Sequence, residues 1–226
     1  MVDKKDFYIP CSFEGRRPCL LDQGLFIPPN FEDHEKYSSL SLLQILPKKE
    51  QVFVELCSGN GQWILEKAAK QPEVMWVAVE MKFARARNIW VQMKRRKLSN
   101  VFLIFGEAFT FLQHYVSNES VDQLFINFPD PWPKARHAKN RLIQKTFVEE
   151  AKRVLKNQAP LFFVSDHKEY KDQAIEVFQK VEELKPAFAS PYYVTKWDGF
   201  GGSYFYQLFK KQKQTIYYVG FEKNAY

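Results

Sequence analysis

The chain has 226 residues, with 33 lysines and arginines against 26 aspartates and glutamates, and so a net charge of +7. Hydrophobic residues make up 46% of the sequence and charged residues 26%, which excludes a generally disordered chain and fits one globular domain. No run approaches the roughly 18 apolar residues of a membrane span, and the N-terminus lacks the apolar core of a signal peptide. The three cysteines, too few for a disulfide framework, indicate a reducing cytoplasm and no metal site.

The order of apolar runs divides the chain into an irregular, proline-punctuated N-terminal extension (1–48) and a core (49–226). Five short apolar runs in the core alternate with helical segments, which is typical of a parallel sheet with helices on both faces. The predicted strands are 52–56, 74–79, 101–105, 121–127 and 161–165, and the predicted helices are 62–70, 83–97, 108–115, 141–155 and 168–181. Two aromatic-rich runs, 204–209 and 216–221, predict an antiparallel hairpin at the sheet edge.

The positive charge is unevenly distributed along the chain. Between Met81 and Lys145 there are twelve basic and four acidic residues, so this window carries +8 and the remainder −1. Two basic runs within it, 85–97 and 134–145, contain no acid at all. Each run alone could be a solvated helix face, but together they bracket one loop and favour a polyanionic partner.

The first predicted strand leads into a loop with the pattern Glu55-x-x-x-Gly59-x-Gly61, and Glu80 ends the second strand. Two glycines at a strand-to-helix turn allow a close approach to a ligand, and an acid about 20 residues on can bind ribose hydroxyls. A dinucleotide fingerprint would have its third glycine at Ile64, where it is missing. Glu55 would also be misplaced beside a pyrophosphate but suits a cation. S-adenosylmethionine is therefore favoured over NAD and over a purely structural turn.

Glu107 follows the third predicted strand in the sequence Phe105-Gly-Glu-Ala. Its carboxylate could accept a hydrogen bond from the exocyclic amine of adenine. Equally, an acid at this position could stabilise the N-terminus of the following helix through the helix dipole. The residue pattern leaves both interpretations open.

The fourth predicted strand runs into the densest motif of the chain, Asn-Phe-Pro-Asp-Pro-Trp-Pro-Lys. Pro129, Pro131 and Pro133 restrict the backbone at alternate residues, which excludes a helix or a central strand and predicts a stiff extended loop. Such a loop would hold Asp130 in one orientation and present Trp132 as a flat surface. A plain proline-rich connection with a capping aspartate is the alternative.

Basic residues follow this loop at once. A carboxylate in a rigid loop, an aromatic ring and a basic stripe suit a nucleobase in RNA, because phosphates meet the cations while the base stacks and its edge meets the carboxylate. His137 and His167 are weaker candidates for acid–base roles. The stripe consists of Lys134, Arg136, His137, Lys139 and Arg141.

These motifs together resemble the bacterial tRNA (guanine-N7-)-methyltransferases, from about Leu21 to the C-terminus. The Phe128-Pro-Asp-Pro-Trp-Pro-Lys-x-Arg-His block carries the resemblance most specifically. The resemblance implies an α/β, Rossmann-like class I methyltransferase fold with a mostly parallel seven-stranded sheet, an antiparallel C-terminal hairpin and helices on both faces. It also implies methyl transfer from S-adenosylmethionine to N7 of a guanosine in the tRNA variable loop (position 46), which forms 7-methylguanosine.

The resemblance further implies roles for individual residues. Asp130 is the expected catalytic residue, and the cofactor site is expected to comprise Glu55, Gly59, Gly61, Glu80, Glu107 and Asp130. Substrate contacts are expected from Lys134, Arg136, Asp166, Ser203 and Tyr206. Three positions depart from the family pattern: Cys57 replaces a glycine, Glu107 a shorter Asp or Asn, and Tyr206 a glutamate.

Guanine N7 carries a lone pair and no proton, so this reaction needs no general base, and Asp130 is expected to orient the base and stabilise developing charge. Three rival functions remain. An exocyclic-amine nucleic-acid methyltransferase is suggested by the loose likeness of Asn127-Phe-Pro-Asp to its target loop. The others are a non-catalytic RNA-binding protein that holds the cofactor, and a nicotinamide oxidoreductase. The expected partner is tRNA, and the expected assembly is a monomer or homodimer.

Overall fold

The computed structural model describes residues 2–12, 15–201 and 204–224, so that Ser203 lies outside the described residues. The described strands are β1 Cys19–Leu21, β2 Gly24–Phe26, β3 Gln51–Leu56, β4 Val74–Glu80, β5 Val101–Phe105, β6 Gln123–Asn127, β7 Pro160–Ser165, β8 Leu184–Pro186, β9 Tyr193–Val194 and β10 Tyr217–Lys223. The α-helices are α1 Leu42–Ile45, α2 Gln62–Lys70, α3 Phe83–Arg95, α4 Ala108–Tyr115, α5 Lys145–Val154, α6 Lys168–Gln179 and α7 Tyr204–Lys211.

All of these strands belong to one mixed sheet, in the order β1-β2-β5-β4-β3-β6-β7-β10-β8, with β9 paired to β10. Strands β2 to β7 along this path pair in parallel. Strand β10 is antiparallel to β7, β8 and β9. The seven strands from β5 to β8 along this order are the predicted seven-stranded, mostly parallel sheet, which is therefore confirmed.

Helices cover both faces of the sheet because its central strands are apolar on both sides. Every residue of β4 and β5 is buried. One hydrophobic cluster includes buried side chains of α4, α5 and α6, and the other includes those of α2 and α3. This double covering matches the continuous apolar runs in the sequence and confirms the predicted α/β architecture.

The C-terminal antiparallel pairing is present, but its first arm was predicted in the wrong segment. Strand β10 pairs with β8, whereas the aromatic-rich segment 204–209 lies in helix α7. Tyr206 and Phe209, three residues apart, both pack against a hydrophobic cluster, while Lys210 and Lys211 end the helix. This spacing places the two rings on one side of a helix, and that tertiary packing outweighs the strand preference of aromatic residues.

The N-terminal 48 residues contain more regular structure than expected. Strands β1 and β2 form a short antiparallel pair that extends the sheet beyond β5. Between them, Gln23 Nε2 donates to the carbonyl oxygens of Leu98 and Val101 at 2.7 Å each. Asp22 forms an ion pair with Lys94 of α3 at 2.9 Å. The segment is therefore fastened to the core by long-range contacts.

Candidate active site

The carboxyl ends of four neighbouring parallel strands bring the predicted acidic residues to one edge of the sheet. Glu55 lies in β3 and Glu80 ends β4, whereas Glu107 and Asp130 follow β5 and β6. Because β5, β4, β3 and β6 are adjacent in the sheet, these four residues occupy successive positions along its edge. This is where ligands bind in open α/β sheets.

Glu55 is buried beside Asn127, the last residue of β6. Asn127 Nδ2 donates to Glu55 Oε1 at 2.7 Å, and Glu55 is only 1% exposed. Within the described residues, neither Glu55 Oε2 nor Asn127 Oδ1 has a hydrogen-bond partner. Burial raises the pKa of Glu55 to about 7, against the opposing effect of the Asn127 hydrogen bond. The pair therefore offers two unsatisfied buried acceptors to a ligand with N–H donors.

The glycine loop is held against Glu80. Gly59 N donates to Glu80 Oε2 at 2.9 Å, and Lys82 N donates to Oε1 at 2.7 Å. Burial raises the pKa of Glu80, while these amides and Arg85 act in the opposite direction. Gly61, at the start of α2, has φ of 77°, and a Cβ there would lie 2.7 Å from Cγ1 of buried Ile89. Glycine is thus required by both backbone conformation and packing.

Glu107 caps helix α4. Its two carboxylate oxygens accept from Phe109 N at 3.0 Å and Thr110 N at 2.7 Å. The helix-stabilising interpretation of this residue is therefore realised. Glu107 also lines a cavity of about 400 Å³ together with Glu80 and Asp130, so a ligand contact is compatible with its capping role.

Asp130 lies in the non-regular segment between β6 and the 3-10 helix Ala135–Asn140. Phe128 and Trp132 on either side have positive φ angles of 48° and 42°. Asp130 is exposed, and the Trp132 ring is 39% exposed and makes an edge contact with His137. The loop thus presents a carboxylate and an aromatic face, as predicted for the proline motif.

Two cavities meet at this edge of the sheet. The larger, of about 400 Å³, is lined by Glu80, Glu107 and Asp130 and by the apolar side chain of Met81, among others. The smaller, of about 60 Å³, is lined by Glu55 and by Asn127, Gly59 and Tyr204. Cys57, Arg85 and Phe128 line both. The two cavities are therefore adjacent compartments of one site.

The residues predicted to contact substrate do not all lie together. Lys134 and Arg136 are exposed directly after the Asp130 loop. Asp166 follows β7 and is half-buried, and burial raises its pKa. Tyr206 lines a separate cavity of about 530 Å³ and packs on Phe200.

The positive surface is smaller than the sequence suggested. Helix α3 starts at the site edge and runs away from it for 13 residues, or about 20 Å, so Arg95 and its neighbours lie at the far end. Lys94 is paired with Asp22. Arg141 is only 6% exposed, so it cannot be a solvated member of the basic stripe. The exposed cations next to the active loop are Lys134, Arg136 and Lys139.

Among residues 2–12, 15–201 and 204–224, no cluster of three or more His, Cys, Asp or Glu side chains could hold a metal ion. In the same part of the chain, no helix is both long and apolar enough to cross a membrane.

Comparison with known proteins decides the family. The family described as "Putative methyltransferase" matches residues 49–217. A tRNA (guanine-N(7)-)-methyltransferase of Chlamydia pneumoniae is 38% identical over 98% of this chain and 98% of its own length. The enzyme of the same name from Chlamydia trachomatis serovar D is 36% identical over the same shares. The chain belongs to the tRNA (guanine-N(7)-)-methyltransferase family.

Solved structures with the same fold are more distant. A 30S ribosomal A1408 methyltransferase from an uncultured bacterium superposes with a TM-score of 0.57 over 86% of this chain and 95% of its own, at 16% identity. A SAM-dependent methyltransferase from Aquifex aeolicus superposes with a TM-score of 0.55 over 84% of this chain and 89% of its own, at 14% identity. At these identities the likeness supports the fold alone.

Two residues of this family member were not predicted as site residues. Asn127 holds Glu55, and the sequence signal was an amide that ends an otherwise apolar run. Tyr204 lines the Glu55 cavity from α7. Tyr204 was missed because segment 204–209 was predicted as a strand, and a strand and a helix direct their side chains differently.

Proposed function

We propose that this chain transfers a methyl group from S-adenosylmethionine to N7 of a guanosine at position 46 in the variable loop of tRNA. Its relatives over almost the full length bear the name of that activity. The observation that carries the proposal is the exposed Asp130 loop, which borders the cavity lined by Glu80 and Glu107. We assign residues 1–226 to one methyltransferase domain. Its free cysteines, Cys11, Cys19 and Cys57, fit a cytoplasmic enzyme. We expect the enzyme to be a monomer or a homodimer.

The residues at the sheet edge fit S-adenosylmethionine. Its methionyl part carries an ammonium, and Glu55 Oε2 and Asn127 Oδ1 are buried acceptors that lack donors within the described residues. Glu80 can receive the ribose hydroxyls, with Met81 beside it for the adenine. A dinucleotide would bring its pyrophosphate to the glycine loop beside Glu55, where charge repulsion disfavours it. When bound, the cofactor supplies an electrophilic methyl group on a sulfonium.

The chain's own residues then align the nucleophile. Guanine N7 has a lone pair and no proton, so no residue has to remove one. Trp132 offers a partly exposed ring on which the base can stack, and Asp130 can accept from its edge. As N7 attacks, positive charge develops on the purine, and the Asp130 carboxylate stabilises it. Lys134 and Arg136 receive the adjoining phosphates.

The test is incubation of the purified chain with an unmodified tRNA transcript and methyl-labelled S-adenosylmethionine, followed by nucleoside analysis. We expect the label in 7-methylguanosine, and none in a matched transcript with adenosine at position 46. Label in an N-methylated exocyclic amine would instead support the amine methyltransferase. Binding of both ligands without transfer would support a non-catalytic protein.

A further inference from the structure

Arg141 belongs to the basic run that follows the active loop, but its side chain is buried rather than exposed to solvent. Arg141 Nε donates to the carbonyl oxygen of Pro131 at 2.7 Å, and one terminal guanidinium nitrogen donates to Gln173 Oε1 at 2.6 Å. Its guanidinium carbon lies 5.1 Å from the ring centroid of Tyr170. Pro131 lies between Asp130 and Trp132 in the sequence. The buried Arg141 side chain therefore binds the backbone at the centre of the active loop.

The partners of Arg141 are themselves fixed. Gln173 Nε2 donates to the carbonyl oxygen of Ile143 at 3.2 Å, and Ile143 N donates to the Tyr170 hydroxyl at 3.1 Å. Tyr170 is fully buried in the core between α6 and the sheet. The segment after the 3-10 helix therefore does not continue into α5, which starts at Lys145 rather than at Arg141 as predicted. Instead, the backbone of Ile143 in this segment forms hydrogen bonds with Tyr170 and Gln173 of α6, which hold the two partners of Arg141 in place.

We propose that Arg141 is a positioning residue: it fixes the Pro131 carbonyl, and with it the orientation of Asp130 and Trp132, rather than binding tRNA phosphate. This inference rests on the proposed function, because it assumes that Asp130 faces the target guanine. A planar guanidinium suits the role, since it donates in two fixed directions while stacking on an aromatic ring. A lysine would retain the charge and lose that geometry.

The decisive experiment compares Arg141→Lys with Arg136→Ala, an exposed cation from the same run, in steady-state methylation of tRNA. For Arg141→Lys we expect kcat to fall by about 10-fold to about 100-fold, because misplacement of a reacting group by about 1 Å can cost that much. The KM for tRNA and its salt dependence should change little. For Arg136→Ala we expect the reverse, a higher KM with kcat retained and a salt slope smaller by about 1.

Two further measurements separate positioning from general destabilisation. Free guanidinium at low millimolar concentration should restore part of kcat in Arg141→Ala, which a loss of phosphate contact would not predict. Gln173→Leu should also lower kcat, and the Arg141→Lys, Gln173→Leu double variant should fall no further than the more impaired single variant, because both changes release one anchor.

The inference is overturned if Arg141→Lys retains kcat and raises KM, or if the two substitutions act additively. Wild-type enzyme assayed in parallel separates failure of the positioning role from failure of the proposed function. Wild-type turnover with an unimpaired Arg141→Lys variant refutes the positioning role alone. A wild-type chain that does not methylate tRNA guanosine refutes the proposed function, and with it this inference.

Discussion

Asn127 and Glu55 share one hydrogen bond of 2.7 Å, and the second oxygen of each side chain remains without a partner among the described residues. A buried acceptor without a donor costs about 1–3 kcal/mol, so two of them side by side are a liability for folding. The arrangement makes sense if a ligand supplies the donors. A cationic ammonium would also favour the ionised form of a carboxyl that burial otherwise drives toward neutrality.

Cofactor affinity should therefore depend on pH through Glu55. Since the pKa of this carboxyl is raised to about 7, it is mostly ionised at pH 8 and mostly neutral at pH 6. We expect S-adenosylmethionine to bind about tenfold more weakly at pH 6 than at pH 8, as the ionised fraction falls by that factor. Isothermal titration calorimetry at the two pH values measures the ratio. Glu55→Gln, which stays neutral throughout, should bind weakly at both, and an unchanged pH dependence in this variant would contradict the assignment.

Removal of the charge on Asp130 should affect turnover more than cofactor affinity. Asp130→Asn keeps the shape of the side chain, but its neutral amide no longer stabilises positive charge on the purine. We expect kcat to fall by about 10²-fold to about 10³-fold, with cofactor affinity changed much less. Asp130→Glu retains the charge and should keep more activity than the amide variant. Near-normal turnover in Asp130→Asn would eliminate the electrostatic role.

The sheet and the acidic edge could be predicted from sequence because each depends on a local signal. Apolar runs such as those of β4 and β5 need only be buried on both faces, and a polar residue at the end of a run locates the carboxyl edge. Glu55, Glu80 and Asp130 were found in this way.

The features that escaped prediction depend on contacts distant in sequence. Strand β2 has three residues and is defined by its pairing with β5, about 80 positions away. The burial of Arg141 depends on Gln173, 32 residues later. The basic run around Arg141 gives no indication that this one side chain is buried. Helix α7 could have been predicted from the sequence, since Tyr206 and Phe209 have helical spacing, but the aromatic content of the segment suggested a strand.

Binding to tRNA should be salt-dependent and should respond to charge according to location. Lys139 is exposed beside the active loop, whereas Arg96 lies at the far end of α3. We expect Lys139→Ala to weaken tRNA binding and to lower the slope of log K against log salt by about 1, because one phosphate contact is lost. Arg96→Ala removes the same charge and should change affinity less. Filter binding between 50 and 200 mM salt tests this, and equal effects of the two substitutions would favour a diffuse basic surface.

The free energy of unfolding should fall at acidic pH because of His34 in the N-terminal segment. His34 is buried, and its Nδ1 lies 2.8 Å from the Tyr115 hydroxyl, with its ring stacked at 4.4 Å on that of His114. Burial, followed by the charge of His114, lowers the pKa of His34 from its ordinary value of 6.5. Just below pH 6.5, His34 is therefore protonated more readily in the unfolded chain than in the folded chain. The contribution of His34 to stability is present above pH about 6.5 and is lost as the pH falls below it, by at most about 1.4 kcal/mol per pH unit.

Urea unfolding of the wild type and of His34→Gln at pH 5 to 8 measures this contribution. The glutamine variant should be less stable than the wild type at pH 8, because a long amide cannot reproduce the stacked ring, and the difference should narrow toward pH 5. A constant difference between wild type and His34→Gln across the range would show that His34 stabilises the segment by packing alone, since protonation would then be the same in both states.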